Sequence, residues 1–474
     1  MHPRIIIAAL RGGSGKTILS LGLVSAWKAI GYSIAPFKKG PDFIDAGWLT
    51  FAADRPCHNL DPFLMTDETI LHSFGSRAQG ADLSVIEGNR GLYDGLDTEG
   101  SSSTAELAKL LKAPVLIILD VSMTTRTMAA VVRGCQVFDA ELNIAGIILN
   151  RVAGPRQGTL IRDAIEKYCH IPVVGSVPKL KGASFPERHM GLVPHQESTQ
   201  AECAVAFARR TVEDYLQLDQ IHRIAAGAPD LDWGPASAAV PTAEERTGSF
   251  HQRLRIGYIE DKSFWFYYPE NLEQLKDLGA DLIRIDAMSW AGLPDLDALY
   301  IGGGFPETQA EALSRNTLFR RSLKDAIERG LPVYAECGGF MYLGERLIVH
   351  GKSYPMVGAL PLEFVLQKKP QGHGYTVLEV VGENRYYSLG QTVRGHEFHY
   401  SRAVPTSKTP LDFVFHVHRG QGIDGKRDGI SKKNLLASYT HVHAQGDRSW
   451  ARGLFQAALR YKKKGFFEKK EKNI

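Results

Sequence analysis

The chain has 474 residues, 44% of them apolar and 23% charged, proportions of an ordinary globular protein with room for two or three domains. Its formal charge of +4 is matched by residues 462–474 alone, where six lysines face two glutamates, so the remainder is balanced: this argues against a nucleic-acid-binding face and reads the tail as a solvated, frayed end. No apolar run reaches the about 18 residues that suggest a membrane span, no signal peptide precedes the first strand, and the five scattered cysteines (Cys57, Cys135, Cys169, Cys203, Cys337) fit a reducing, cytoplasmic setting rather than a disulfide framework or structural zinc site.

In chain order, the first element is the apolar run RIIIAAL (4–10), a buried strand, followed by RGGSGKT (11–17) and the helical stretch ILSLGLVSAW (18–27). Strand, glycine-rich loop and helix N-terminus together make a phosphate cradle, because small residues let backbone N–H groups close around phosphate oxygens. Gly12, Gly13, Ser14 and Gly15 are the expected cradle, Lys16 the contact to the terminal phosphates and Thr17 a ligand to Mg²⁺. The glycine usual four residues before the Gly15-Lys16-Thr17 triplet is replaced by Leu10, and Arg11 stands where a deviant subgroup of such loops carries a second lysine. Further short Ile- and Val-rich runs follow: SIAPFKK, DLSVIEG, APVLIILDV, NIAGIILNRV and IPVVGSVP. TAELAKLL and GTLIRDAIEKYC supply helices between them, so the region is expected to be a parallel sheet covered on both faces. Carboxylates cluster near its glycine-rich turns. Asp42 and Asp45 lie in FKKGPDFID, and Glu87 and Asp94 in VIEGNRGLYDG. With Thr17, Asp45 and Glu87 are expected to hold Mg²⁺ across the phosphates, since that ion takes hard oxygen ligands. Asn150, closing IAGIILN, could read an adenine edge or be a simple turn asparagine.

Residues 225–250, rich in Ala, Pro, Gly and Ser and without periodicity, read as a linker. The alternation then restarts with RLRIGYIED, ADLIRIDA, LDALYIGGG and LPVYAEC, and gains antiparallel character through TVLEVVGENRYY and NLLASYTHVHA. Cys337 falls between an apolar strand and a new helix, ahead of two glycines. This is the setting of an exposed nucleophile on a tight elbow. Gly338, with Gly303 and Gly304 of YIGGGFPE, is expected to supply oxyanion N–H donors. His441, in ASYTHVHA, is the expected base, with His443 on the same side at strand spacing. The pairs His396/His399 and His416/His418 lack a third ligand and are not read as metal sites. RGHEFHYS (395–401 with its flanking Arg394) is unusually polar for a core strand and could face substrate. A nucleotide cradle and a thiol nucleophile in one chain together suggest that a carboxylate is activated with ATP and then amidated with ammonia released from glutamine.

The segments RGGSGKT, FKKGPDFIDAGW, NLDPF, EGNRGLYDG, ILNRV, ERHMGLVP, IGGGFPE, ECGGFMYL, RGHEFHYS and ASYTHVH, in this order over residues 4–446, resemble the cobyrinate a,c-diamide synthase family. The resemblance implies an α/β chain of two domains: a dethiobiotin-synthetase-like P-loop parallel-sheet domain (1–224) and, after the linker (225–250), a class I glutamine amidotransferase-like α/β domain (251–462), with a basic tail (463–474). It implies amidation of the a and c acetate side chains of a corrin ring through a carboxyl phosphate, with ATP and Mg²⁺ as cofactors and with glutamine and a corrinoid as partners. It places the thiol on Cys337, the base on His441, and the activating carboxylates on Asp42, Asp45, Glu87 and Asp94. Unlike other class I amidotransferases, the chain has no acid after His441 to complete a triad. Asn89-Arg90 and Arg11 also depart from the usual pattern. The same chemistry on nickel sirohydrochlorin, on the route to coenzyme F430, and a ParA-like nucleotide switch with a degenerate amidotransferase domain are the alternatives.

Overall fold

A computed structural model describes residues 2–180, 187–188, 191–197, 200–233 and 253–471. The chain divides into two compact units, Met1–Ser237 and Ala238–Ile474. Most of the expected linker, and part of the ERHMGLVP segment, lies outside the described residues.

The first unit alternates strand and helix: β1 (Arg4–Ala9), α1 (Lys16–Ala29), β2 (Ile34–Lys39), α2 (Ile44–Ala53), β3 (His58–Leu60), α3 (Asp67–Ala78), β4 (Leu83–Glu87), α4 (Thr104–Leu110), β5 (Val115–Asp120), α5 (Thr127–Phe138), β6 (Ile144–Val152), α6 (Pro155–Cys169) and β7 (Val173–Pro178). A short antiparallel pair, β8 (Glu187–Arg188) with β9 (Gly191–Leu192), precedes α7 (Ala201–Tyr215) and α8 (Leu218–Ala226). Ala225 and Ala226, expected in the linker, thus close a helix: Ile221 and Ala225 on its inner face are buried in the core of this unit. The strands form one sheet in the order β3-β2-β4-β1-β5-β6-β7, parallel throughout. Every residue of β1, β2 and β4 is buried, which is why these strands read as apolar runs rather than alternations. Arg4 is the exception in β1. Its guanidinium satisfies itself on the carbonyls of His2, Leu111, Lys112 and Pro229, as a buried charge must. Local chemistry fixes the helix starts: Thr66 and Ser103 cap α3 and α4 through their side chains, and Pro155 opens α6.

The second unit begins with β10 (Leu254–Ile259), α9 (Pro269–Asp277), β11 (Ala280–Ile285), β12 (Ala298–Ile301), α10 (Ala310–Arg315), α11 (Thr317–Glu328), β13 (Val333–Glu336) and α12 (Gly338–Leu343). It continues with β14 (Arg346–Val349), β15 (Lys352–Pro355), β16 (Leu362–Leu366), β17 (Gly372–Val380), β18 (Thr392–His399), β19 (Ser401–Pro405), β20 (Asp412–Arg419), β21 (Arg427–Lys432), β22 (Leu435–Ser438), β23 (His441–Val442) and α13 (Arg448–Glu471). A ten-stranded sheet runs β11-β10-β12-β13-β22-β21-β20-β17-β18-β23. Its first four ladders are parallel and the rest antiparallel. A second sheet, β15-β14-β16-β19, extends the core on one side, where Phe340 and Phe364 meet at 4.8 Å. The opposite face is closed by α13, whose fully buried Trp450 packs edge-on to Tyr300 and Tyr334. α13 carries helical backbone into the basic tail as far as Glu471, in keeping with the good helix propensity of Lys and Glu.

Candidate active sites

In the first unit, the residues expected to handle phosphate meet at the C-terminal edge of the parallel sheet, where α/β folds place their ligand crevices. Gly13 and Gly15 hold φ of 71° and 93°. Gly15 is the N-cap of α1 and gives it no side-chain cap, leaving the orphan N–H groups of the first turn facing the loop. A methyl at Gly15 would sit 2.6 Å from Asn150 Nδ2. Asn150 itself is spent on the loop: its Nδ2 donates to Ser14 O at 2.9 Å, and its Oδ1 accepts from Arg151 N. It therefore braces the cradle from β6. Arg11 and Arg151 both pair with Asp120 at the end of β5, at 2.8 and 2.6 Å, and Arg151 also donates to Gly13 O. Asp120 is held at about 2, because its bonds to Ser122, Arg11 and Arg151 outweigh the opposing effect of burial.

Lys16 lies over the loop, donating to Arg90 O at 2.7 Å and Arg11 O at 3.3 Å. Behind it sits a buried cluster that sequence reading did not identify as such. Lys38 Nζ, at the end of β2, lies 2.7 Å from Asp45 Oδ2 and 3.0 Å from Glu87 Oε1, and Thr17 Oγ1 donates to the same Glu87 oxygen at 2.8 Å. Burial alone would lower Lys38, but Asp45, Glu87 and Asp42 reverse this and push it well above the usual lysine value. Burial likewise would raise Asp45, but Lys38 holds it below the usual carboxylate range. Glu87 is pushed up to about 7 by burial, with Lys38 opposing and Asp45 reinforcing. Burial and Asp45 raise Asp42. Its Oδ1 accepts from the Ile44 and Asp45 N–H groups at the start of α2. Asp94 Oδ2 accepts from Gly91 N and so shapes the loop after β4. The signal for Lys38 was present in FKKGPD; its pairing across β2 and β4 was not readable without the sheet.

Among the described residues no group of three or more His, Cys, Asp or Glu side chains is arranged to hold a metal ion. The oxygens of Thr17, Asp45 and Glu87 nevertheless suit Mg²⁺, which takes one or two carboxylates and completes its shell with phosphate and water. Glu87 Oε2 is a buried carboxylate oxygen with no hydrogen-bond partner, the kind of atom a cation would satisfy.

In the second unit, Cys337 follows β13 directly, with φ 46° and ψ −100°. Its N–H donates to Ser438 O at the end of β22, and its thiol donates to Phe398 O at 3.8 Å. The close packing of this elbow requires glycine: a methyl on Gly339 would lie 2.5 Å from Ile301 O, and one on Gly338 would lie 2.9 Å from Gly304 O and 3.1 Å from Gly304 N. The expected oxyanion turns, 303–304 and 338, are thus back to back. The expectation of an exposed thiolate does not hold. Cys337 is 6% exposed, and its thiol is pushed far up by burial first and then by Glu307, Glu336 and Glu397. A thiol in such a setting needs a base to become a nucleophile.

His441, in β23, pairs with His396 of β18. A methyl on Gly303 would overlap the His441 ring, so the base borders the same glycine turn. Phe266 and His396 both stack on that ring, at centroid distances of 4.4 and 4.9 Å, and lie 5.6 Å from each other. His443 packs on Tyr268 at 4.5 Å and faces Glu270 at 3.5 Å. RGHEFHYS borders the candidate catalytic residues: Phe398 O accepts from the Cys337 thiol and His396 stacks on His441. His396 and His399 are each 4% exposed: His396 lies against His441, and His399 stacks flat on Tyr439 at 3.6 Å. His396 is held well below the ordinary histidine range by burial and by His441 and His443. His416 and His418 lie edge to face at 4.8 Å, and His418 bonds Glu379 at 2.9 Å; both histidines are exposed, while Val414, Phe415 and Val417 of the same strand are buried. Glu336 and Tyr300 were not singled out from the sequence. Glu336 was hidden in plain view beside Cys337.

Residues 5–193 match the CobQ/CobB/MinD/ParA nucleotide binding domain, and residues 255–449 match the CobB/CobQ-like glutamine amidotransferase domain. The chain is 43% identical to the cobyrinate a,c-diamide synthase of Magnetococcus marinus, over 95% of this chain and 96% of that one. It is 41% identical to the enzyme of the same name from Archaeoglobus fulgidus, over 97% and 98%, and 38% identical to that from Listeria innocua, over 93% and 96%.

Proposed function

The chain belongs to the cobyrinate a,c-diamide synthase family, and from that premise we propose how its two sites divide an ATP- and glutamine-dependent amidation of cobalamin biosynthesis. The substrate class is a corrinoid; the ring we propose is cobyrinate, amidated at its a and c acetates. Each carboxylate is activated on the first unit. The N–H groups of residues 12–15 and Lys16 hold the nucleotide phosphates. Thr17, Asp45 and Glu87 would hold Mg²⁺, which would neutralise phosphate charge. The substrate oxygen attacks the terminal phosphorus, the bond to ADP breaks, and a carboxyl phosphate results. Lys38, paired with Asp45 and Glu87 and with Asp42 nearby, and Asp94, which acts on Lys16, would border the place where this charge develops. On the second unit, His441 takes the Cys337 proton and the sulfur attacks the glutamine amide carbon. N–H groups of the turns at 303–304 and 338 stabilise the oxyanion. The proton passes to the departing nitrogen, ammonia leaves, and water later releases glutamate. Ammonia displaces phosphate from the activated carboxyl.

One observation carries this reading: a buried thiol at a strained elbow, with two abutting glycine turns, one of which borders the ring of a histidine. The test is Cys337→Ala. Amidation of cobyrinate with glutamine should fall below about one hundredth of the parent rate, while amidation with high ammonium at raised pH should stay within a few-fold. Equal loss with both nitrogen sources would mean that Cys337 has no role in releasing ammonia. Offering nickel sirohydrochlorin beside cobyrinate checks the ring.

A further inference from the structure

The ring of His441 stacks on Phe266 at 4.4 Å and on His396 at 4.9 Å, and those two rings lie 5.6 Å from each other, so aromatic packing sets the plane of the imidazole. Its Nδ1 edge meets the carboxylate of Glu336, Nδ1 to Oε2 at 3.4 Å, with both side chains 2% exposed. Among the described residues, Nδ1 has no hydrogen-bond partner. The distance lies just beyond an ordinary hydrogen bond, and catalytic bonds commonly tighten when substrate is present. The carboxylate is itself anchored: Oε2 accepts from Tyr300 OH at 3.1 Å, and Oε1 accepts from the N–H of Val442 at 3.2 Å. One side chain thus holds both the backbone next to His441 and the edge of its ring. The neighbour at strand spacing, His443, faces a different carboxylate, that of Glu270.

We propose that Glu336, the residue immediately before the nucleophile, positions His441 by accepting its Nδ1 proton, and so takes the part of the acid that is missing after the histidine. Resting on the glutaminase reading above, this fixes the tautomer in which Nε2 has the free lone pair. The Cys337 proton then moves to Nε2 as the sulfur–carbon bond forms. The resulting imidazolium is stabilised by the carboxylate, and the Nε2 proton leaves on the ammonia nitrogen as the carbon–nitrogen bond breaks. Glu336 touches no substrate; it acts through His441.

The experiment measures glutamine hydrolysis and glutamine- and ammonium-dependent amidation for the full-length chain and for Glu336→Gln, Tyr300→Phe and Cys337→Ala. A glutamine side chain at 336 turns its NH₂ toward Nδ1 and stabilises the wrong tautomer. Glutamine hydrolysis should fall by roughly 10²-fold or more, and the ratio of variant to parent rate should climb at alkaline pH as hydroxide takes the thiol proton instead. Ammonium-dependent amidation should be retained. Tyr300→Phe, which removes one anchor of the carboxylate, should lose several-fold in the same assay. A Glu336→Gln chain within about threefold of the parent, or one whose deficit is the same at every pH and is shared by the ammonium reaction, would overturn the proposal. If Cys337→Ala still hydrolysed glutamine, the glutaminase reading itself would fall, which is a separate result.

Discussion

Lys38 shows how a single residue can decide the electrostatics of a site. It is 1% exposed, between Asp45 and a fully buried Glu87, so removing it leaves two carboxylates facing one another without a cation. Breaking one side of such a buried set costs about 3–5 kcal/mol. Lys38→Met should therefore lower the unfolding free energy of the full-length chain, read from denaturant titration, by that amount near pH 8. Glu87 has a folded value raised to about 7. A raised acid contributes stability below its unfolded value and loses that contribution as pH rises through the folded one. The deficit of Lys38→Met should accordingly shrink toward pH 5, where Glu87 takes a proton. A pH-independent deficit would mean that the cluster is not electrostatically coupled. In the sequence, Lys38 was one of two adjacent lysines and Glu336 one acid among many. Each acquires meaning only from a partner far along the chain, Glu87 for the first and His441 for the second.

At the scale of elements, β1, β2, β4 and β5 were legible because strands buried on both faces must be short apolar runs, and these are. The turns that follow them were legible for a different reason: glycine-rich segments mark close backbone approach. β18 was harder to read, because the rule that polarity means exposure fails where polar side chains satisfy one another. His399 is bonded to Ser401 O and stacked on Tyr439, and Glu397 accepts from the N–H groups of Gln421 and Gly422. The junction of β1 and α1 gives a test of an element boundary. Gly15→Ala must place a methyl against Asn150 at a φ of 93°. The backbone term alone is about 1–3 kcal/mol, and the loop must also move away from Asn150. The variant should lose nucleotide affinity by at least tenfold in equilibrium titration while glutamine hydrolysis is unchanged; unaltered nucleotide binding would show that the loop can adopt another path.

For the molecule as a whole, the two units have separate cores and separate chemistry. Their division of labour predicts a phenotype opposite to that of Cys337. Lys16→Ala should abolish amidation with glutamine and with ammonium alike, because no activated carboxylate forms, while glutamine hydrolysis persists. Amidation by Lys16→Ala with ammonium at the parent rate would rule out phosphoryl activation at this loop. Two-domain architecture was readable from the compositional break near residue 225 and the restart of strand–helix alternation. The exact end of the first unit was not, because alanine-rich sequence serves a helix and a linker equally well.

The conformation of Cys337 has an evolutionary consequence. At φ 46° and ψ −100° a side chain is a burden, of about 1–3 kcal/mol, and glycine would rest there more easily. Selection for folding alone would favour its replacement; on the proposed reading, selection for releasing ammonia is what retains it. A lineage living on abundant ammonium would feel the first pressure without the second. Position 337 is where such a lineage is expected to record the change, well before the surrounding sheet, whose packing serves stability in either diet.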